Sequence, residues 1–249
     1  MAKSAGNSGT WESTKAMAQN IGFTVWLTGM SGTGKTTLAS YIAARLRQVG
    51  RSVEVLDESD VGDELWKGLG ESKDERNEIV KRLGYVANLL TRNQVATLVA
   101  AVSPYKTARE ENRRAVGRYI EVYVDCPTEK LIERDSTGKY KKALAGEIPN
   151  FIGITEPYEP PTSPEVTIHS DTEAVEDGAM RIFQALLDLG YVSPEELKVI
   201  TGKRMKANPD AKKARGRGAK AAPKMSKGAK ARPAARAART AKPAKKGKR

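Results

Sequence analysis

The chain has 249 residues, with 43 Lys or Arg against 30 Asp or Glu, a net charge of +13, and one cysteine. A single cysteine excludes an intrachain disulfide and gives an oxidising compartment no support, and no apolar run approaches the ~20 residues needed to span a bilayer. The charge is uneven: Lys203 to Arg249 holds 19 basic residues and one acid, about +18, which leaves the first 202 residues at about −5.

Residues 1–20 are small and polar and read as a flexible arm without the apolar core of a signal peptide. The cytoplasm is therefore the expected compartment, with no membrane contact. "FTVWLT" (23–28) is a short apolar, β-branched run ending at a glycine, which predicts a buried strand. Residues 36–49 carry Leu38, Ile42 and Leu46 on one stripe, a helix stopped by Gly50. "SVEVL" (52–56) predicts a second strand and 74–92 a long helix, with Ile79, Leu83, Val86 and Leu90 at helical spacing. "VATLVAAV" (95–102) predicts a third strand, 107–116 a charged helix, and "YIEVYV" (119–124) a fourth strand. A helix over 128–134, a strand over 165–169 and a helix capped by Asp171 and running to Leu189 complete the body.

Strands alternating with helices at this spacing imply an α/β fold, a mainly parallel sheet covered on both faces. Ligands of such sheets sit beyond the carboxyl ends of the strands. Gly29, Asp57, Ser103 and Asp125 all fall there, which predicts one site built from four separated segments. The domain is expected over 21–200. The tail 201–249, rich in Lys, Arg, Ala and Pro, has almost nothing to bury and is expected to be disordered.

"GMSGTGKTT" (29–37) satisfies G-x-x-x-x-G-K-[ST] between a strand and a helix, the P-loop context. Gly29, Met30, Ser31, Gly32, Thr33, Gly34, Lys35, Thr36 and Thr37 are thus expected to hold a nucleotide's phosphates. Backbone N–H groups and the helix N-terminus supply positive potential there. Lys35 would reach the β- and γ-phosphates of ATP, and the Thr36 hydroxyl would ligate Mg²⁺. The P-loop alone does not separate a kinase from a GTPase or a motor ATPase.

Five segments narrow the choice: "TVWLTGMSGTGKTTLA", "VSPYKTARE", "EVYVDCP", "ERDSTGKYKKALAGEIPNFIGITEPYEPP" and "TEAVEDGAMRI". Over about residues 20–190 the chain resembles adenylylsulfate kinases, and the stretch 134–160 is the most specific part. The resemblance implies a P-loop NTPase three-layer sandwich that moves the γ-phosphate of ATP to the 3′-hydroxyl of adenosine 5′-phosphosulfate, giving PAPS. It implies an acceptor site of Arg76, Ser103, Pro104, Tyr105, Lys142 and Phe151, with Lys142 near the phosphosulfate and Phe151 against the acceptor's adenine. Arg134, Lys139, Lys141 and Lys142 put positive charge on a lid able to close over anionic ligands, with Arg134 on the nucleotide. Direct in-line transfer is expected, with Ser103 binding substrate, since no base is adjacent in sequence to activate it.

Departures from the family fall on the acceptor side. Where the family carries D-G-D-N-V-R, this chain has "DESDVG" (57–62), so Ser59 stands at the second aspartate and Gly62 at the arginine. Asp57 or Asp60 must then serve as base for the acceptor hydroxyl. In the next family pattern Arg76 and Arg82 match, while Ile79 stands at an asparagine. Two alternatives stay open: a kinase of the same fold with a changed small-molecule acceptor, and a polyanion-binding protein retaining a degenerate kinase body. The tail suits non-specific binding to nucleic acid or other polyanions, and a homodimer is expected. His169 and Cys126 read as structural residues, and Trp26 as core.

Overall fold

The computed structural model describes residues 21–211; the N-terminal arm and the tail beyond residue 211 lie outside the described residues. Five strands, β1 (Phe23–Thr28), β2 (Val53–Asp57), β3 (Ala96–Ala100), β4 (Tyr119–Asp125) and β5 (Val166–His169), form one sheet in the order β2-β3-β1-β4-β5. Every pair is parallel, with Val25 of β1 opposite Leu98 on one side and Ile120 on the other. β1 is central and buried along its whole length, which is why its sequence is a continuous run with no polar face.

Eight helices lie among the described residues: α1 (Lys35–Gln48), α2 (Glu58–Leu65), α3 (Lys73–Arg92), α4 (Lys106–Val116), α5 (Thr128–Glu133), α6 (Lys139–Leu144), α7 (Val175–Asp188) and α8 (Pro194–Thr201). Alternation along β1 divides the core. Phe23, Val25 and Leu27 meet α1, α7 and α8 on one face; Trp26 meets α3 and α4 on the other, stacked on Tyr119 with ring centroids 5.8 Å apart. These two layers around the sheet are the expected three-layer sandwich.

Several boundaries differ from the sequence expectation. α7 is not capped by Asp171: its first turn begins after Ala174. The intervening turn is tied to β5 instead, Thr172 and Glu173 donating their N–H groups to the His169 carbonyl while the Glu173 carboxylate accepts the His169 N–H. α2 and α6 were not anticipated, being short and polar. α8 was not anticipated either, although its "SPEEL" start carries a capping box, Ser193 with Glu196, and Pro194 at the first turn. Glu196 also accepts a bidentate hydrogen bond from the buried Arg51 at 2.6 and 3.0 Å, fastening α8 beside β1. Packing continues past the expected domain end: Gln184 on α7 donates to the Lys206 carbonyl, and the Asn208 N–H donates to Asp188.

α3 and α4 cross closely at Gly84. A Cβ there would stand 2.0 Å from Asn112 Oδ1, and Asn112 is buried and donates to the Val80 carbonyl at 2.8 Å. Gly84→Ala gains up to about 1 kcal/mol of helix propensity. It must also push Asn112 off its bond and crowd the crossing, at about 1–3 kcal/mol for each effect. The balance is destabilising, and a fall in melting temperature of about 4 °C is expected by calorimetry. Adding Asn112→Ala should recover part of it.

Candidate active site

The P-loop runs from the end of β1 into α1. Gly34, the residue before α1, has φ +90°, a conformation that side chains rarely adopt. Gly29 lies so close to the end of β4 that a Cβ would stand 2.2 Å from the Val124 carbonyl oxygen. Both glycines are thus demanded by geometry. Lys35 is buried and its Nζ donates to the Gly29 and Met30 carbonyls at 2.9 and 2.8 Å. Burial lowers its pKa to about 8, against the pull of the Glu58 and Asp57 carboxylates. Its nearest partners are neutral carbonyls, so the loop holds a desolvated cation suited to a phosphate.

Asp57 ends β2 and caps α2. It accepts the Thr36 hydroxyl at 2.5 Å, the Ser59 N–H at 2.9 Å and the Ser59 hydroxyl at 2.6 Å. Burial works to raise the Asp57 carboxyl, but the bonds from Ser59 and Thr36 outweigh it, and its pKa falls below the ordinary value. The Thr36–Asp57 pair is a set of hard oxygens, the donor type Mg²⁺ takes, usually with one or two carboxylates plus phosphates and waters. No group of three or more His, Cys, Asp or Glu suited to a metal occurs among the described residues. Asp60 is exposed, its one hydrogen-bonding contact being the Ser59 hydroxyl at 3.4 Å.

Two clefts border the P-loop. One, of about 190 Å³, is lined by Gly32, Thr33, Gly34 and Thr37 together with Arg134 and the 170–175 turn. Arg134 donates to the Ser170 carbonyl at 3.1 Å, which holds its guanidinium along that wall. The other, of about 230 Å³, is lined by Ser31, Arg76, Val102, Lys139 and Phe151 among others. Its outer wall is the lid, which packs on Cys126, Leu131 and Met30 through Tyr140, Phe151 and Ile154 and makes polar and ring contacts besides. Arg76 donates to the Asn150 carbonyl at 2.9 Å, Tyr140 donates to the Ser31 carbonyl at 2.7 Å, and Phe151 meets Tyr140 edge-on at 4.9 Å.

Not every expected acceptor residue lines that cleft. Ser103 is fully buried; its Oγ accepts the Trp26 indole N–H at 3.0 Å and donates to Thr28 at 2.9 Å. No base is within hydrogen-bonding reach of it among the described residues. Its φ of +37° is strained for serine and is held there by Arg109, which bonds the Ser103 and Glu159 carbonyls. Pro104 and Tyr105 are buried as well. This segment is a buried hub beneath the site, and its side chains are engaged with one another at the end of β3. Lys142 is exposed and stands outside the lining, where Lys139, one turn earlier on α6, takes the place.

The two altered acceptor positions also sit elsewhere. A Cβ on Gly62 would lie 2.9 Å from Trp66 Nε1, so an arginine there would displace that indole. Ile79 is half-buried and outside the cleft lining. Sequence reading missed Glu58, Tyr140 and the 170–175 turn. Only Glu58, a carboxylate next to Asp57 at a strand end, left a signal that could have been used.

Phosphate affinity should follow the charge on Lys35. The protonated amine attracts anions and the neutral amine does not, and in the free protein the proton leaves near pH 8. Affinity for ATP is expected to be flat below that pH and to fall about tenfold by pH 9. Titration calorimetry from pH 7 to 9.5 checks this.

A family profile described as adenylylsulphate kinase matches residues 21–169. The adenylyl-sulfate kinase of Rippkaea orientalis is 49% identical over 172 residues, covering 69% of this chain and 95% of the relative. That of Picosynechococcus sp. is 46% identical over 176 residues, 71% of this chain and 99% of the relative. Among solved structures, the Mycobacterium tuberculosis APS kinase in complex with AMPPNP and APS superposes with a TM-score of 0.62 at 36% identity, covering 65% of this chain and 95% of that one. The hexameric APS kinase of Thiobacillus denitrificans gives 0.54 at 31%, over 70% of this chain and 30% of that one. With the P-loop, the parallel sheet and the lid in place, the chain belongs to the adenylylsulphate kinase family.

Proposed function

We propose that this protein transfers the γ-phosphate of ATP to the 3′-hydroxyl of adenosine 5′-phosphosulfate, producing PAPS. The observation that carries the reading is the pair of clefts bordering one P-loop, since a phosphoryl transfer needs donor and acceptor to reach the same moving group. The kinase relatives and the complex with AMPPNP and APS support it. ATP takes the cleft between Arg134 and the 170–175 turn, its phosphates on residues 29–37 and Lys35. Thr36 and Asp57 are placed to hold Mg²⁺ through their oxygens. That ion, when bound, neutralises phosphate charge.

The acceptor takes the second cleft. Phe151, already braced edge-on by Tyr140, offers a ring face for its adenine, and Arg76 and Lys139 offer cations for its anionic groups. Tyr140 ties this wall to the P-loop, so closing the lid on the acceptor also sets the loop that grips the donor. Ser103, Pro104 and Tyr105 act from beneath by fixing the end of β3. A changed acceptor is not favoured, because Gly62 and Ile79 lie off the cleft and the cations and ring that line it are present.

Lys35→Ala should abolish turnover without unfolding the body, because the ammonium is desolvated and makes only two carbonyl bonds. Chromatography of 3′-phosphorylated product is the assay, with a loss of at least about 10³-fold expected. Unchanged turnover in a folded variant would refute the assignment.

The domain of this reading spans 21–211, the reaction belongs to the cytoplasm, and the assembly is a homodimer, checked by light scattering. The tail is a separate polyanion-binding arm, supported by its charge of about +18. A chain ending at Ala211, which keeps the contacts to α7, is expected to retain kcat while losing salt-sensitive retention on a polyanion column. Equal retention of both chains at low salt, or a large loss of kcat, would rule this out.

A further inference from the structure

The second cleft is lined by the cations Arg76 and Lys139, and among the described residues one acidic side chain lines it with them, Glu71. Glu71 lies in the turn before α3, one residue ahead of the Ser72 cap. Its side chain is exposed, while that of Arg76 is largely covered. The Arg76 guanidinium donates from Nε to the Glu71 carbonyl at 2.9 Å and from Nη2 to the Asn150 carbonyl at 2.9 Å. Glu71 Oε2 stands 3.4 Å from the same Nη2. No hydrogen bond among the described residues reaches Nη1. An anion gripped at two points by a guanidinium needs two neighbouring donors. Nε is taken by a main-chain carbonyl, so the edge left for a ligand is Nη1 with Nη2, and the Glu71 carboxylate already stands at Nη2.

We propose that Glu71 sets the affinity of this cleft for anionic acceptors, its carboxylate holding the anion-binding edge of Arg76 until the acceptor's anionic group displaces it. The inference rests on the kinase reading above, which puts the acceptor in this cleft. A carboxylate here can oppose an anionic ligand by bare repulsion or by occupying the guanidinium, and the contact at Nη2 is of the second kind. The internal pair forms without an association step, so the acceptor gains only the difference between its own grip on Arg76 and that of Glu71. A ligand without an anion leaves the pair in place and gains nothing when Glu71 is removed. Between turnovers the same pair keeps the Arg76 charge satisfied. Glu71 is exposed and solvent screens the pair, so its effect is a few-fold in affinity and not orders of magnitude.

Glu71→Gln removes the charge, and Glu71→Asp keeps it but falls one methylene short of Nη2. Full-length protein is titrated by calorimetry with adenylylsulfate and with adenosine, which has no anionic group, and is assayed for 3′-phosphorylated product. Glu71→Gln is expected to bind adenylylsulfate about threefold more tightly and to lower the acceptor KM by the same factor, with adenosine affinity within about 1.5-fold of wild type. Glu71→Asp should also tighten adenylylsulfate, by about twofold, which repulsion alone would not produce. Once Arg76→Met has removed the guanidinium, adding Glu71→Gln should change adenylylsulfate affinity by less than about 1.5-fold. Unchanged or weaker adenylylsulfate binding by Glu71→Gln overturns the inference, and so does an equal tightening in the Arg76→Met background. If Arg76→Met fails to fold, Glu71→Asp decides, and an affinity equal to wild type overturns the inference. A wild type that binds adenylylsulfate without forming product overturns the kinase reading alone, and the binding results still decide on Glu71. A wild type that binds no adenylylsulfate overturns both.

Discussion

The arrangement depends on one uncomfortable charge. Lys35 carries its ammonium inside the protein, away from water, with two backbone carbonyls for partners. Desolvation of this kind costs free energy that carbonyl dipoles only partly offset. Asp57 and Glu58 stand near enough to favour the charged form without forming an ion pair with it. An arriving phosphate therefore meets a cation that is desolvated and already in place, and the interaction it completes is stronger than it would be in water. The surrounding features follow from holding that amine still.

What holds it is the rigidity of the strand ends. Thr28, at the end of β1, ties to the Val102 carbonyl, to Ser103 and to Tyr158. Trp26 and Arg109 close the same cluster from either side, and Arg109 continues into Glu121. These buried polar groups are satisfied by one another, so the cluster resists deformation where a purely apolar core would allow side chains to slide. Ser103 belongs here. Its strained backbone and fully engaged hydroxyl describe a fixed corner.

On this floor the two clefts differ in stiffness. The cleft lined by Arg134 is built from the P-loop and a turn knitted to β5 by hydrogen bonds. The cleft lined by Phe151 is walled by α6 and the loop after it, held by Arg76 and Tyr140 and by an apolar cluster of Cys126, Leu131, Tyr140 and Phe151. A wall held by a few separable contacts can open to admit a ligand and close behind it. Tyr140 donates to the Ser31 carbonyl within the P-loop, so this wall and the loop share a direct contact.

The sequence by itself determined the P-loop and its flanking strand and helix, because glycine placement and a nonpolar run are local constraints that tertiary structure does not alter. It also determined the parallel α/β class through strand and helix alternation, and the specific lid segment through its own residues. Helices α2, α6 and α8 escaped notice because each is too short for a period to show, and their stability comes from caps and from docking, as Arg51 with Glu196 illustrates. Only the tertiary structure decided which polar residues face a cleft. Ser103 and Lys142 were expected there and are buried in the hub and exposed to solvent, respectively; Lys139 lines the cleft, at a position its spacing alone did not distinguish from its neighbours'. Along a strand end or a helix turn of a few residues, facing is set by what packs behind, and that information lies far along the chain, 44 residues away in Val102 for Glu58 and 109 away in Ser31 for Tyr140.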